Sequence, residues 1–406
     1  MTDIDDSRPN TEPVEDWATD YDIFDPEYVV DPVPVWEELR GRCPVAHTER
    51  WEGSWMPTRY DDVRALAKMV PQLSSRDPLV TRPPEDQRVE NPELSAPPIT
   101  ADPPLSEWTR RLILPPMAPK AVEAHRPYTE ALAHELIDGF IQQGHCDAAA
   151  DYAQQIPPRV IAHLLGIDPA RADDFTTWVR GVLEIGLTNQ AVRVKYRDII
   201  REFLTAEVED RMANPKDDFI SQLLAAEVEG VEVTPRIVVG MCNLLLIAGI
   251  DTTWSSIGSA LWHFATHPDD RRRLAADDGL FPTAIEEMLR YYAPVTMARE
   301  ATEEIEFQGV TFQPGDKVLM TFPAANHDPE AFTDADQIQI DRQRNRHIAF
   351  GSGIHRCAGS NLARLEMDVA LRVWFERIPE FELADPDAVT WAGGQVRGPR
   401  ALPMRF

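Results

Sequence analysis

Hydrophobic positions are distributed very unevenly along this chain. The densest apolar stretch covers residues 237–250, is interrupted by Asn243 and ends against Asp251. Thr234 before it suits an N-cap and Pro235 a first helical position, and the helical pattern continues to about His267. That is about thirty residues, or roughly 45 Å at 1.5 Å each. Being apolar nearly all round, the helix is expected to cross the protein interior. Residues 121–211 read as helical, with Leu132, Leu136 and Phe140 four apart on one face. A further helix is predicted over 282–292. Short strands follow at 305–312 and 317–321, joined by a turn at Pro314, Gly315 and Asp316. A last helix follows Cys357, with Leu362, Leu365, Val369 and Val373 along one face. The proline-rich segment 79–104 shows no helical periodicity and predicts a long loop, of the kind that often forms a lid or binding wall. Residues 1–20 are acidic and polar, so they are expected to form a flexible or loosely docked arm. No internal repeat is present. The pattern predicts a mainly α fold with a small β component, as one domain over 21–406.

Composition narrows the setting. With 406 residues, 43% of them hydrophobic, the chain can bury a large core. A net charge of −28 argues against broad binding to nucleic acid or to an anionic membrane. The apolar stretch 237–250 is shorter than a bilayer span. The opening residues, MTDIDD, have neither the basic nor the apolar region of a secretory leader. A cytoplasmic location is therefore expected.

The four cysteines, Cys43, Cys146, Cys242 and Cys357, form no CxxC pair or zinc-ribbon pattern, so any special chemistry falls on one of them alone. Cys357 has the distinctive context. It lies in FGSGIHRCAG (350–359), where glycines permit tight turns and close approach. It precedes a helix whose N-terminal N–H groups favour a thiolate, with Arg356 alongside. A soft thiolate of this kind suits the axial position of an iron centre built for O–O cleavage. A buried structural cysteine after an ordinary turn fits the same residues. A dinucleotide loop fits poorly, because Arg356 stands where a third glycine belongs.

Within the long helix, AGIDTT (248–253) combines three anomalies. Gly249 costs roughly 1 kcal/mol against alanine, and Asp251 is costly in an apolar interior unless paired or wet. Thr252 can bond back to the carbonyl of residue 248 and loosen the helix. A locally opened helix with a carboxylate and a hydroxyl near water can relay protons. A small-residue packing contact with a salt-bridged aspartate is the alternative. Glu287 and Arg290, three apart, have the spacing of an ordinary surface ion pair.

These segments together resemble the cytochromes P450, and the resemblance runs from about residue 20 to Phe406. Residues 350–359 match the family's haem-binding signature, FxxGxxxCxG, at each defining position. Residues 248–252 resemble AGxDT, Glu287 with Arg290 resembles ExxR, and Arg342 resembles the third member of that cluster. The resemblance implies the cytochrome P450 fold, one haem b (iron protoporphyrin IX) and Cys357 as axial ligand, with Phe350 packed beside it. His355, Arg299 and Arg110 would serve the propionates, and Ala248 and Gly249 would lie against the haem. Ser106 stands where the family often has histidine, which puts one propionate contact in doubt. Asp251 and Thr252 would act in proton delivery and oxygen activation; Glu287, Arg290 and Arg342 would hold the cysteine loop. The implied activity is a monooxygenase that uses O2 to hydroxylate, O-dealkylate or epoxidise a small, largely apolar organic substrate. Candidate walls are Leu245, Ala248, Val295, Thr296, Met297, Gln395 and Val396, with the 79–104 loop. Electrons would come from a separate ferredoxin, docking on Arg110, Arg111, Arg356 and Arg364. The alternatives are a peroxide-driven peroxygenase, a non-catalytic haem-binding or gas-sensing protein, and a haem-free helical scaffold.

Overall fold

The computed structural model describes residues 12–82 and 91–406. The flexible-arm expectation for residues 1–11, and the 83–90 part of the loop, lie outside the described residues. The long helix spans Pro235–Thr266, and Thr234 Oγ1 accepts from the Ile237 N–H at 3.4 Å as its cap. Its apolar circumference is consumed by neighbours, leaving Leu246, Ile250, Ile257, Leu261 and Phe264 fully buried. Burying each such side chain contributes about 1.5–3 kcal/mol. Taken whole, this helix is long and apolar enough to cross a membrane, which the shorter stretch 237–250 was not. Most of its apolar window is nonetheless buried inside the protein.

The helical region expected over 121–211 is divided. Helices Arg126–Phe140, Ile156–Leu165, Ala172–Leu183 and Gln190–Ala213 are separated by a short strand, His145–Asp147, and irregular turns. Leu132 and Phe140 face the main core as expected, and Leu136 packs against it from a half-buried position. The later helices are Phe281–Tyr291 and Ser360–Arg377, the latter burying Leu362, Leu365, Val369 and Val373. Between residues 79 and 104 the described part carries only a single 3₁₀ turn, Pro92–Leu94, before the helix Leu105–Ile113.

A five-stranded sheet runs Val45–Thr48, Ser54–Pro57, Lys317–Met320, Met297–Ala301, Leu73–Ser74. The strand segments after residue 305 fall into two different sheets. Ile305–Phe307 pairs with Val310–Phe312 as its own hairpin, whereas Lys317–Met320 pairs antiparallel with Met297–Ala301. The reason is burial: all four residues of Lys317–Met320 are buried, which demands a place inside a sheet. Residues 12–20 are docked, because Arg50 donates to the carbonyls of Glu12 (2.7 Å) and Pro13 (3.2 Å) and grips Asp20 with two bonds. The Ala18 carbonyl also accepts from the His47 N–H at 3.0 Å.

Candidate active site

The loop that presents Cys357 is fixed from beneath. Glu287 and Arg290, whose sequence spacing fitted a surface pair, are both fully buried. The Glu287 carboxylate accepts from Arg290 Nε (2.9 Å) and Nη2 (2.8 Å), Arg342 Nε (3.0 Å), the Gln339 N–H (2.9 Å) and Asn345 Nδ2 (3.0 Å). Arg290 also donates to the carbonyls of Asn326, Ala335 and Gln337, and Arg342 to those of Thr333, Asp334 and Gln337. Two guanidinium forks thus pin an irregular segment, otherwise unable to hold a shape, to the helix Phe281–Tyr291. Asn326 Oδ1 then accepts the Ile348 N–H at 2.8 Å, where the cysteine loop begins.

Gly353 turns that loop at φ +76°, and a Cβ there would stand 2.8 Å from the Ala67 carbonyl oxygen. The Cys357 N–H donates to the Phe350 carbonyl at 2.8 Å, and the Phe350 ring lies beneath the Arg364 guanidinium at 4.5 Å. Cys357 is solvent-accessible although protein surrounds it densely, which places it on the wall of an internal cleft. Burial pushes its thiol pKa up, while the Gly359 N–H and Arg110, Arg356 and Arg364 favour the thiolate. Sequence reasoning missed Glu286. Burial opposes its charge, yet Arg364 (2.5 Å) and His347 (3.0 Å) hold its pKa at about 2. Arg364 is therefore committed inward and Arg110 is half-buried, so Arg111 and Arg356 are the exposed members of the expected docking patch.

Cations with few anionic partners converge near the cysteine. Arg299 is buried on strand Met297–Ala301, donates to the Ala298 carbonyl at 2.7 Å and is pushed down to about 10 by burial. His355 is pushed down to about 3 by burial and by Arg299 and Arg110, against Asp102. Among the described residues the buried His355 Nε2 and Ser106 Oγ have no hydrogen-bond partner. Orphaned buried polar atoms are uncommon, and beside two arginines they fit an anionic ligand group. Ser106 can donate one hydrogen bond at the position where histidine was absent. A thiol on the cleft wall and this cationic rim match a metal-bearing group with acidic substituents, and haem fits that donor set.

The long helix continues without a break through 248–253, so the opened-helix alternative is not the one that forms. Thr252 Oγ1 does bond back to the Ala248 carbonyl, at 2.8 Å. Ala248 is exposed in mid-helix, so it faces a cleft. Gly249 is explained by packing instead: a Cβ there would meet Ile161 Cδ1 at 2.6 Å on helix Ile156–Leu165. Asp251 is fully buried and ion-paired, which is the salt-bridged alternative rather than the wet one. Its Oδ1 accepts from Arg400 Nη2 (2.9 Å) and Ser255 Oγ (3.2 Å), while Oδ2 has no partner among the described residues. Arg400 also donates to Glu184 (2.7 Å), which Arg180 contacts at 3.1 Å. Burial raises the Asp251 pKa against Arg400, whereas Glu184, between two arginines, is held at about 2 despite its burial. Arg400 and Glu184 were missed. The available signal was Gly398, whose Cβ would stand 2.3 Å from Ser255 Cβ; that close approach lays the strand Gly398–Ala401 on the helix and delivers Arg400.

The expected walls partly assemble. Val295 bridges to Val396, and the Thr296 N–H donates to the Gln395 carbonyl at 3.1 Å, so these two segments meet. The Gln395 side chain does not line the cleft as a free group. It accepts from the Val80 N–H (2.9 Å) and donates toward the Pro78 carbonyl (3.3 Å) and Met297 Sδ (3.1 Å). Leu245 is buried one turn before Ala248, and Met297 is half-buried.

Comparison with known proteins agrees with this arrangement. The family model described as Cytochrome P450 matches residues 280–385. The chain is 33% identical to the mycinamicin IV hydroxylase/epoxidase of Micromonospora griseorubida over 359 residues, 87% of this chain and 89% of that protein. It is 34% identical to the vitamin D(3) 25-hydroxylase of Pseudonocardia autotrophica, covering 90% of each. The crystal structure of CYP109E1 from Bacillus megaterium in complex with testosterone superimposes with a TM-score of 0.86 at 29% identity, covering 93% of this chain and 98% of that one.

Proposed function

Since the chain belongs to the cytochrome P450 family, we propose that Cys357 Sγ holds the iron of its haem and that Asp251 and Thr252 manage its protons. The chain is a monooxygenase of small organic substrates with haem b as cofactor. Haem b supplies the reductive activation of O2. The geometry above supports the residue roles proposed here. The Gly359 N–H and the nearby arginines favour the thiolate at Cys357. Arg299, Arg110, His355 and Ser106 receive the acidic substituents of the haem, replacing water with fixed donors. Glu287, Arg290 and Arg342 hold the loop and take no part in the chemistry.

Asp251 Oδ1 is occupied by Arg400 and Ser255, so a proton on this carboxyl sits on Oδ2. Thr252 Oγ1, released from the Ala248 carbonyl by rotation about χ1, passes a proton toward the cleft. Arg400 positions the carboxyl and, as a neighbouring cation, limits how firmly Oδ2 holds its proton. The walls Leu245, Ala248, Val295, Met297 and Val396 suit a largely apolar substrate. A ferredoxin-type donor is proposed to approach over exposed Arg111 and Arg356, and the location is proposed to be cytoplasmic, with residues 21–406 forming the haem domain. The observation that carries this reading is the convergence of Cys357 with the cationic rim of Arg299, Arg110 and His355.

The test is the carbon monoxide difference spectrum of the dithionite-reduced protein, recorded beside Cys357→Ala. A strongly red-shifted Soret band that the variant loses is expected. An unshifted band, or one that survives in the variant, removes Cys357 from the iron. Turnover with ferredoxin and O2 exceeding turnover with hydrogen peroxide separates the monooxygenase from a peroxygenase.

A further inference from the structure

Near its C-terminal end the long helix carries a buried polar group that the oxygen chemistry leaves unused. His263 is fully buried; its Nδ1 lies 3.1 Å from Tyr292 Oη and its Nε2 lies 3.1 Å from Asp270 Oδ2. The three residues come from three elements: the long helix, the following helix Pro268–Ala276, and the C-cap of Phe281–Tyr291. Hydrogen bonds from His263 hold Asp270 ionised, and Arg273 sits 3.4 Å away on the same carboxylate. An ionised carboxylate only accepts, so Nε2 carries the imidazole proton and Nδ1 accepts from the Tyr292 hydroxyl. Burial keeps His263 neutral. A tyrosine hydroxyl therefore donates to a base whose far side faces a carboxylate.

Tyr292 is also a node in a line of aromatic contacts. In one direction its ring is 5.9 Å from Trp262, which is 5.4 Å from Trp391. In the other the rings run Tyr291 (5.0 Å), His327 (4.5 Å), Trp36 (5.3 Å), Tyr28 (6.1 Å) and half-buried Trp17 (6.0 Å). Trp36 Nε1 donates to Tyr28 Oη at 2.9 Å within that line. These centroid separations are those of aromatic rings in contact. Trp262 lies ten residues beyond Thr252 on the same helix, roughly 15 Å along its axis.

We propose that Tyr292, His263 and Asp270 form a proton-coupled redox site, with Tyr292 as the reversibly oxidised group and the aromatic line as its route to the surface. A one-electron oxidant removes one electron from Tyr292, and the Oη proton moves to His263 Nδ1. The products are a neutral tyrosyl radical and an imidazolium hydrogen-bonded to the Asp270 carboxylate. No uncompensated cation is left in the low-dielectric interior, which is what makes oxidation feasible at a buried tyrosine. One electron and one proton returned from a reductant restore the starting state. The proposal rests on the haem reading only for the source of the oxidant: haem oxidised by a peracid, or by turnover that fails to reach substrate.

The experiment mixes the haem-loaded protein with a peracid, freezes it within milliseconds and records the electron paramagnetic resonance spectrum. A tyrosyl signal narrowed by ring-deuterated tyrosine is expected, with loss of its main component in Tyr292→Phe. His263→Gln and Asp270→Asn are expected to shorten its lifetime while leaving the carbon monoxide spectrum unchanged. An undiminished signal in Tyr292→Phe, or no tyrosyl radical in protein with a normal thiolate spectrum, overturns the proposal. An abnormal thiolate spectrum instead overturns the haem reading. Photogenerated tris(bipyridine)ruthenium(III) then replaces the peracid, and the same variants decide the redox site.

Discussion

Replacing Arg400 with methionine removes one charge from between two buried carboxylates while keeping much of the side-chain volume. Glu184 retains Arg180 at 3.1 Å, whereas Asp251 keeps only Ser255 at 3.2 Å, so the consequence falls mainly on Asp251. For unit charges 4 Å apart at an effective dielectric of 20, the lost attraction is about 4 kcal/mol. That agrees with the roughly 3–5 kcal/mol seen when one partner of a buried pair is removed. The variant can reduce this by keeping Asp251 protonated, which makes the loss depend on pH. Asp251 already has a raised pKa in the fold, so its contribution to stability falls as pH rises above the ordinary carboxylate value. Without Arg400 that decline extends further upward. At about 1.36 kcal/mol per pH unit, each further unit by which the loss of Arg400 raises the Asp251 pKa adds about that much to the deficit once the pH exceeds the wild-type folded value. By pH 8 the penalty grows to the roughly 4 kcal/mol of the broken pair. Urea midpoints of haem-loaded wild type and Arg400→Met at pH 5 and pH 8 measure this difference. Asp251→Asn in the Arg400→Met background is expected to recover most of the pH 8 deficit. A deficit below about 1 kcal/mol at pH 8, or one equal at both pH values, refutes the argument that Arg400 compensates a buried aspartate.

Other perturbations probe separate parts of the site. Glu287→Gln leaves Arg290 and Arg342 without their buried anion and is expected to cost about 3–5 kcal/mol, read as a lower denaturation midpoint and loss of haem. Gly353→Ala combines positive φ with a Cβ 2.8 Å from backbone and is expected to cost at least about 1–3 kcal/mol, with a weakened thiolate spectrum. Gly249→Ala drives a methyl against Ile161 and is expected to cost about 1–3 kcal/mol, largely reversed by Ile161→Val if packing is the reason for the glycine. Arg111→Glu reverses an exposed charge; if the proposed ferredoxin-type donor docks there, it is expected to associate about tenfold more slowly at low salt and with little change at high salt, measured by stopped-flow reduction.

Much of this site was visible as local pattern. The Thr234–Pro235 start of the long helix, the AGIDTT segment and FGSGIHRCAG each occupy contiguous residues, and helix capping, back-bonding and glycine turns act over three or four positions. Their recognition did not require knowing where the rest of the chain goes. Glu287 and Arg290 show the limit of that information: a spacing of three is the same for a solvated pair and for a buried one. What separated the two was the return of residues 326–345, which surrounds the pair with backbone carbonyls and Arg342.

The remainder depended on distance in space. Chain neighbours left both water and a salt bridge open for Asp251; its partner is Arg400, 149 residues later, brought in because Gly398 lets a strand lie on the helix. Gly249 signalled close approach by some group without naming it, and the structure puts Ile161 there. Arg364 looked like part of an exposed basic patch until Glu286 and Phe350 claimed its guanidinium. Sequence pattern alone determined the mainly helical architecture, the cysteine loop and the presence of an acid–alcohol pair, because hydrophobic periodicity and turn chemistry are local. Only the tertiary structure decided which charges are paired and which stay open, because a long side chain's partner is whatever folding places within about 3 Å of it.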